Sequence, residues 1–79
     1  MKALEKYNLI FTRVFSVEIS DLNDHFTILD VERWDSVAHM RLISEIEENF
    51  NILFDADDII NFSSYSIGKD ILKKYNIVF

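Results

Sequence analysis

Apolar residues recur at three- and four-residue spacing at the start of the chain: Leu4, Tyr7, Phe11 and Val14, with Ile10 and Phe15 at the margins of the same face. That period is the signature of an amphipathic helix and predicts one from about Lys2 to Phe15. A second run begins after Asp35 and carries Leu42, Ile43, Ile46 and Phe50. The segment "DADDIINF" offers Asp55 or Asp57 as a cap, with Ile59, Ile60 and Phe62 as buried anchors of a short third helix. The last helix is expected to start near Ser64 and to carry Tyr65, Ile71, Leu72 and Tyr75. With no proline and one glycine, Gly68, punctuation falls to Asp, Asn and Ser, which favours helices.

Between the first two helices lie about 20 residues, Ser16 to Asp35, a long connection for a small domain. Val17, Ile19, Leu22, Phe26, Ile28 and Leu29 are too many apolar groups to leave in water, so they are expected to tether the loop, with room for a helical turn. "TILDV" has strand-like composition but no evident partner, and an isolated strand would leave its backbone unpaired. The expectation is therefore all-α: a four-helix bundle over residues 1–79, with a long first loop and a short third helix.

Composition narrows the function. A 79-residue chain is a single domain without room for a large enzyme cleft, and 49% hydrophobic content with seven Phe excludes disorder. The absence of cysteine removes disulfides and thiolate metal sites. A formal charge of −6 has the wrong sign for nucleic acid and suits basic protein surfaces. "MKALEKYNLIF" does not read as a signal peptide, and no run nears the roughly 20 apolar residues that cross a bilayer. A cytoplasmic protein is expected, acting as a monomer without membrane insertion.

Candidate chemistry concentrates in "RWDSVAHMRLI", where Ser36 sits at the opening of the second helix. Capping accounts for Asp35 directly, its carboxylate accepting an N–H from the first turn, and makes an Asp-Ser pair unremarkable there. A nucleophilic serine lacks support: Ser36 has no flanking glycines, His39 at i+3 points largely elsewhere, and no acid stands behind that histidine. His25 and His39 are too few and too distant for a metal site, and "DADDIINF" lacks the glycine and closing glutamate of a calcium loop. No catalytic or metal residue is expected. What Ser36 needs no partner on this chain to do is receive a phosphate ester, since a helix N-terminus offers unpaired N–H groups and a positive dipole end.

"WDSVAHMRLISEIEENFNILF" resembles the region around the modified serine of acyl carrier proteins, a D-S-L core followed by an amphipathic helix that ends in acids and Phe. The acidic start of the third helix, the ending "NFSSYSIGKDILKK", the long first loop and the total length extend the resemblance over the whole chain. It implies a non-catalytic carrier with 4′-phosphopantetheine on Ser36, Asp35 completing the motif, and acyl groups held as thioesters on the arm. The absent cysteine then fits, because the sulfur comes with the cofactor. Implied partners are a phosphopantetheinyl transferase, an acyl-loading ligase or transferase, and a downstream acyltransferase or synthase.

At about 100° per residue, Leu42, Ile43, Ile46 and Phe50 form the inner face of the second helix with His39 beside them, while Val37, Arg41, Ser44 and Glu48 point away and Met40 lies on the flank. Val37 and Met40 read either as scattered surface hydrophobes or, by the resemblance, as partner contacts together with Arg41. Val37 replaces the usual Leu, and Ala38 and Arg41 stand where acids are common, so steering toward the enzymes of fatty acid elongation is weakened and a specialised pathway is implied. Trp34 reads as packing back on the helix or the loop, with partner contact as the alternative. Gly68, costly inside a helix, implies close approach of another backbone. Ile46, Phe54, Phe62 and Gly68 fall at the walls of the interior space that shelters acyl chains in the family, or are simply core. Two alternatives keep the same fold: an aminoacyl or peptidyl carrier, and an unmodified interaction module.

Overall fold

The computed structural model describes all residues, 1–79. It contains four helices, α1 (Ala3–Phe15), α2 (Ser36–Phe50), α3 (Ala56–Asn61) and α4 (Tyr65–Lys73), and a single 3-10 turn at Ile19–Asp21 within the first loop. No sheet forms; Thr27 and Ser64 make one isolated antiparallel bridge.

Helix ends follow local side-chain chemistry. The Asp35 carboxylate accepts the Ala38 N–H at 2.8 Å, and the Ser64 hydroxyl accepts the Ile67 N–H at 2.9 Å, each satisfying an otherwise orphaned donor. Helices α1 and α2 end in left-handed residues, Ser16 (φ 56°) and Asn51 (φ 56°), of which asparagine is a type that visits this conformation readily after glycine.

The core is aromatic and centres on Phe11, fully buried on α1. Its ring lies 4.9 Å from Tyr7, 5.3 Å from Tyr65, 5.7 Å from Phe26 and 5.9 Å from Trp34, so one side chain joins α1, α4 and the middle and far end of the loop. Leu42, Ile43 and Ile46 supply the α2 side. The buried Tyr7 hydroxyl donates to the Tyr65 carbonyl at 2.7 Å, and burial raises its pKa well above the ordinary value, which keeps it a donor.

Several expectations are corrected. Leu4 is exposed, whereas Ile10 and Phe15, placed at the margin, are buried; the face of α1 is turned toward the loop aromatics Phe26 and Trp34, which no local period encodes. Of the proposed tethers, Phe26 is buried and Val17 and Leu22 are half-buried, but Ile19, Ile28 and Leu29 face solvent. "TILDV" does find a backbone partner: the Ile28 N–H donates to the Ser63 carbonyl and the Tyr65 N–H to the Phe26 carbonyl, both at 2.9 Å, which pins the loop to the entry of α4. On α3 the buried residue is Asp58, while Ile60 is 76% exposed and Ile59 is half-buried.

Asp58 is buried because it is fully partnered. Lys74 Nζ and the Tyr75 hydroxyl donate to its two oxygens at 2.6 Å each, anchoring the six-residue α3 to the end of α4. The hydrogen bond from Lys74, then that from Tyr75, hold its carboxyl below the ordinary range. Asp58 therefore stabilises the fold above the usual carboxylate range, and that contribution is lost as pH falls through its lowered value.

Candidate functional site

Two successive turns deliver the chain to α2: the Val31 N–H donates to the Thr27 carbonyl at 2.9 Å and the Trp34 N–H to the Val31 carbonyl at 3.0 Å. Trp34 then buries its indole against Phe15, centroids 5.0 Å apart, and Asp35 stays extended (φ −98°, ψ −174°) as the cap. Ser36 emerges as the first helical residue, with its side chain exposed. The N–H groups of Ser36 and Val37 have no acceptor in the protein, since Asp35 serves Ala38 and its own carbonyl takes the His39 N–H. An exposed hydroxyl beside two free donors suits a phosphate ester better than a nucleophile, for which no base is at hand.

His39 is not that base, because both ring nitrogens are engaged. The indole N–H of Trp34 can only donate, so His39 Nδ1 accepts it at 2.9 Å; Nε2 then carries the hydrogen and donates to the Ile59 carbonyl at 2.8 Å. This carbonyl belongs to the last turn of α3 and has no partner within so short a helix. A Trp34–His39–Ile59 chain thus latches the loop, α2 and α3 together. Sequence periodicity placed His39 beside the core face but carried no sign of either partner.

Val37 and Met40 are 72% and 52% exposed, and with Arg41 they lie on the outer side of α2, where a shallow depression runs from Ser36 to Glu48. Arg41 forms no ion pair. The acids further along are mostly committed: Glu45 pairs with Arg13 at 3.0 Å, and Glu47 accepts the Phe54 N–H at 2.9 Å, leaving Glu48 as the free charge near the end of the helix. The outer face beside Ser36 thus carries two exposed apolar side chains and one unpaired cation, with the exposed Asp35 cap before the serine and Glu45 and Glu48 further along the helix.

Ile46, Phe54, Phe62 and Gly68 lie away from this face, all buried in the core. Gly68 is closely approached by side chains rather than by the backbone its presence suggested: a Cβ there would overlap the Tyr7 hydroxyl and the Phe62 ring. None of the surface depressions is lined by any of these four residues. No cluster of three or more acids or histidines is arranged to hold a metal ion. No helix is long and apolar enough to cross a membrane. Comparison with protein-family models, with characterised proteins and with solved structures gives no match to this chain.

Proposed function

We propose that this chain is an acyl carrier whose Ser36 accepts 4′-phosphopantetheine and serves a specialised biosynthetic pathway. The observation that carries the reading is the setting of Ser36: exposed at the first position of α2, directly after a working Asp35 cap, with two free N–H groups beside it. In the transfer, the Ser36 hydroxyl oxygen attacks the pantetheine-side phosphorus of coenzyme A. The phosphoanhydride bond breaks, adenosine 3′,5′-bisphosphate leaves, and the serine proton passes to a base of the transferase. The arm's terminal thiol would supply thioester chemistry; this chain's own part is to present the serine and to be recognised. Val37, Met40 and Arg41 form the recognition surface, and with Ala38 and Arg41 in the first turns of α2 where acids are expected, the negative charge there is confined to the Asp35 cap and the far end of the helix, which argues against service to enzymes that recruit carriers by an acidic first half of this helix.

Intact-protein mass spectrometry after incubation with coenzyme A, magnesium and a broad-specificity phosphopantetheinyl transferase tests the reading. The wild type is expected to gain one phosphopantetheine and Ser36→Ala none, with both equally folded. A wild type that is never modified leaves an unmodified interaction module, and a modified Ser36→Ala moves the site elsewhere.

A further inference from the structure

Resting on the carrier reading, the polar chain around His39 acquires a role at Ser36 itself. The bond from the Trp34 indole N–H to His39 Nδ1 spans the cap, the serine and the first turn of α2, since Trp34 precedes Ser36 and His39 follows it. One end of that bond is fixed in the core: Trp34 is 3% exposed, with its ring 5.0 Å from Phe15, 5.9 Å from Phe11 and 6.0 Å from Phe26. The other end is held from α3 by the Ile59 carbonyl. Asp35 closes the same short stretch from within, its carboxylate taking the Ala38 N–H and its carbonyl the His39 N–H, both at 2.8 Å. Ser36 therefore stands exposed on a turn whose two sides are tied to each other and to the core.

This tie tolerates one protonation state. An indole N–H only donates, so Nδ1 must be a bare acceptor while Nε2 carries the hydrogen for Ile59. A proton added at Nδ1 sets two N–H groups against each other; the Ile59 bond survives it and the Trp34 bond does not. In so buried a residue the freed indole N–H has little water to turn to. Histidine is also the side chain whose charge ordinarily changes between about pH 5 and 8. The surroundings add few charges: the first loop and α3 face the ring with apolar groups, the Phe62 ring meets it edge-on, and no lysine or arginine borders it. Asp35 is the one charged neighbour in that lining, exposed and bound to Ala38. Of the α3 acids, Asp58 is turned to Lys74 and Tyr75, while Asp55 and Asp57 are exposed and lie outside the lining.

We propose that His39 is a positioning residue for the modification of Ser36: its neutral ring holds Trp34 and thereby the turn that presents the serine, and protonation at Nδ1 releases that turn. The chain is then a good transferase substrate above the imidazole range and a poor one below it. The chemistry of the transfer is untouched. What falls is the fraction of chain in the competent conformation, so the effect lies in KM and not in kcat.

One tryptophan and two histidines make both ends of the bond visible by NMR. Between about pH 8 and pH 5, the Trp34 indole resonance is expected to move in step with protonation of His39 Nδ1, and the hydrogen-exchange protection of the Ala38 and His39 amides to fall with it. In the phosphopantetheine transfer assay at about pH 8, His39→Ala should raise KM for the carrier by about tenfold with kcat unchanged, the scale set by one buried donor that loses its acceptor. His39→Asn, whose side-chain oxygen can accept from Trp34 but cannot titrate, should recover most of that loss, and the ratio of wild-type to His39→Asn rates should fall with pH. His25→Ala, which removes the other histidine, should follow the wild type at every pH. Circular dichroism checks the fold of each variant; if His39→Ala is unfolded, the wild type and His39→Asn decide the matter. An indole signal that ignores the titration of His39, a folded His39→Ala protein with wild-type KM, or a pH profile shared by wild type and His39→Asn overturns the proposal. A wild type that is never modified removes the carrier reading and the role at Ser36 together, and it differs from a failed latch, which leaves the wild type modified and the indole signal indifferent to pH.

Discussion

The two sides of α2 use the same kind of residue to opposite ends. Leu42, Ile43 and Ile46 keep at most 1% of their surface in water, whereas Val37 and Met40 on the same helix keep 72% and 52%. Full burial of one such side chain is worth roughly 1.5–3 kcal/mol. The inner face realises that gain on folding; the outer face leaves much of it unrealised, available to whatever covers Ser36. The contrast separates residues that hold the helix to the core from residues the fold leaves uncovered, and charge sharpens it, because Arg41 stands unpaired on the outer face while Glu45 and Glu47 are tied to the protein's own groups.

Ile46→Ala probes the inner side hardest. It removes a fully buried side chain and is expected to cost about 2–5 kcal/mol in urea unfolding. A loss no larger than that of a surface change would erase the distinction between the faces.

Gly68→Ala examines the same core from α4. Alanine gains about 1 kcal/mol in helix propensity over glycine, but its Cβ must displace the Tyr7 hydroxyl and the Phe62 ring, both in fully buried residues. Overpacking of this kind costs about 1–3 kcal/mol, so a net loss of stability is expected. A more stable Gly68→Ala protein in thermal unfolding would mean that the core beside Tyr7 and Phe62 has room to spare.

At the boundary between the faces, Asp35→Ala removes the cap bond to the Ala38 N–H. A loss of about 1 kcal/mol in urea unfolding is expected, the usual cost of an N-cap truncation. In the modification assay this variant should also slow, because a freed first turn presents Ser36 less rigidly; an unchanged rate would assign Asp35 to stability alone.

The smallest effect is expected on the outer side. Met40→Ala should change stability by no more than about 0.5 kcal/mol, as at other exposed positions, while weakening transfer to or from a partner enzyme. A strongly destabilised Met40→Ala protein would show that the outer face contributes to the fold after all.

What the sequence by itself determined was local. The starts of α2 and α4 were legible because a cap is a bond to a residue three positions on, Asp35 to Ala38 and Ser64 to Ile67. The inner and outer faces of α2 were legible because helical period acts within a few turns. The exposed Ser36 with Val37, Met40 and Arg41 followed from those two facts. Tertiary structure alone decided which loop residues are buried, taking in Phe26 and leaving Leu29 in water, and which side of the short α3 faces inward, choosing Asp58 over Ile60. It also decided that His39 closes the seam between α2 and α3, and that Tyr7 and Phe62 crowd Gly68. These outcomes hang on partners far away in the chain: Lys74 for Asp58, Ile59 for His39, Tyr7 for Gly68. Such contacts exist only once several helices have packed, so no short window of sequence carries their signal.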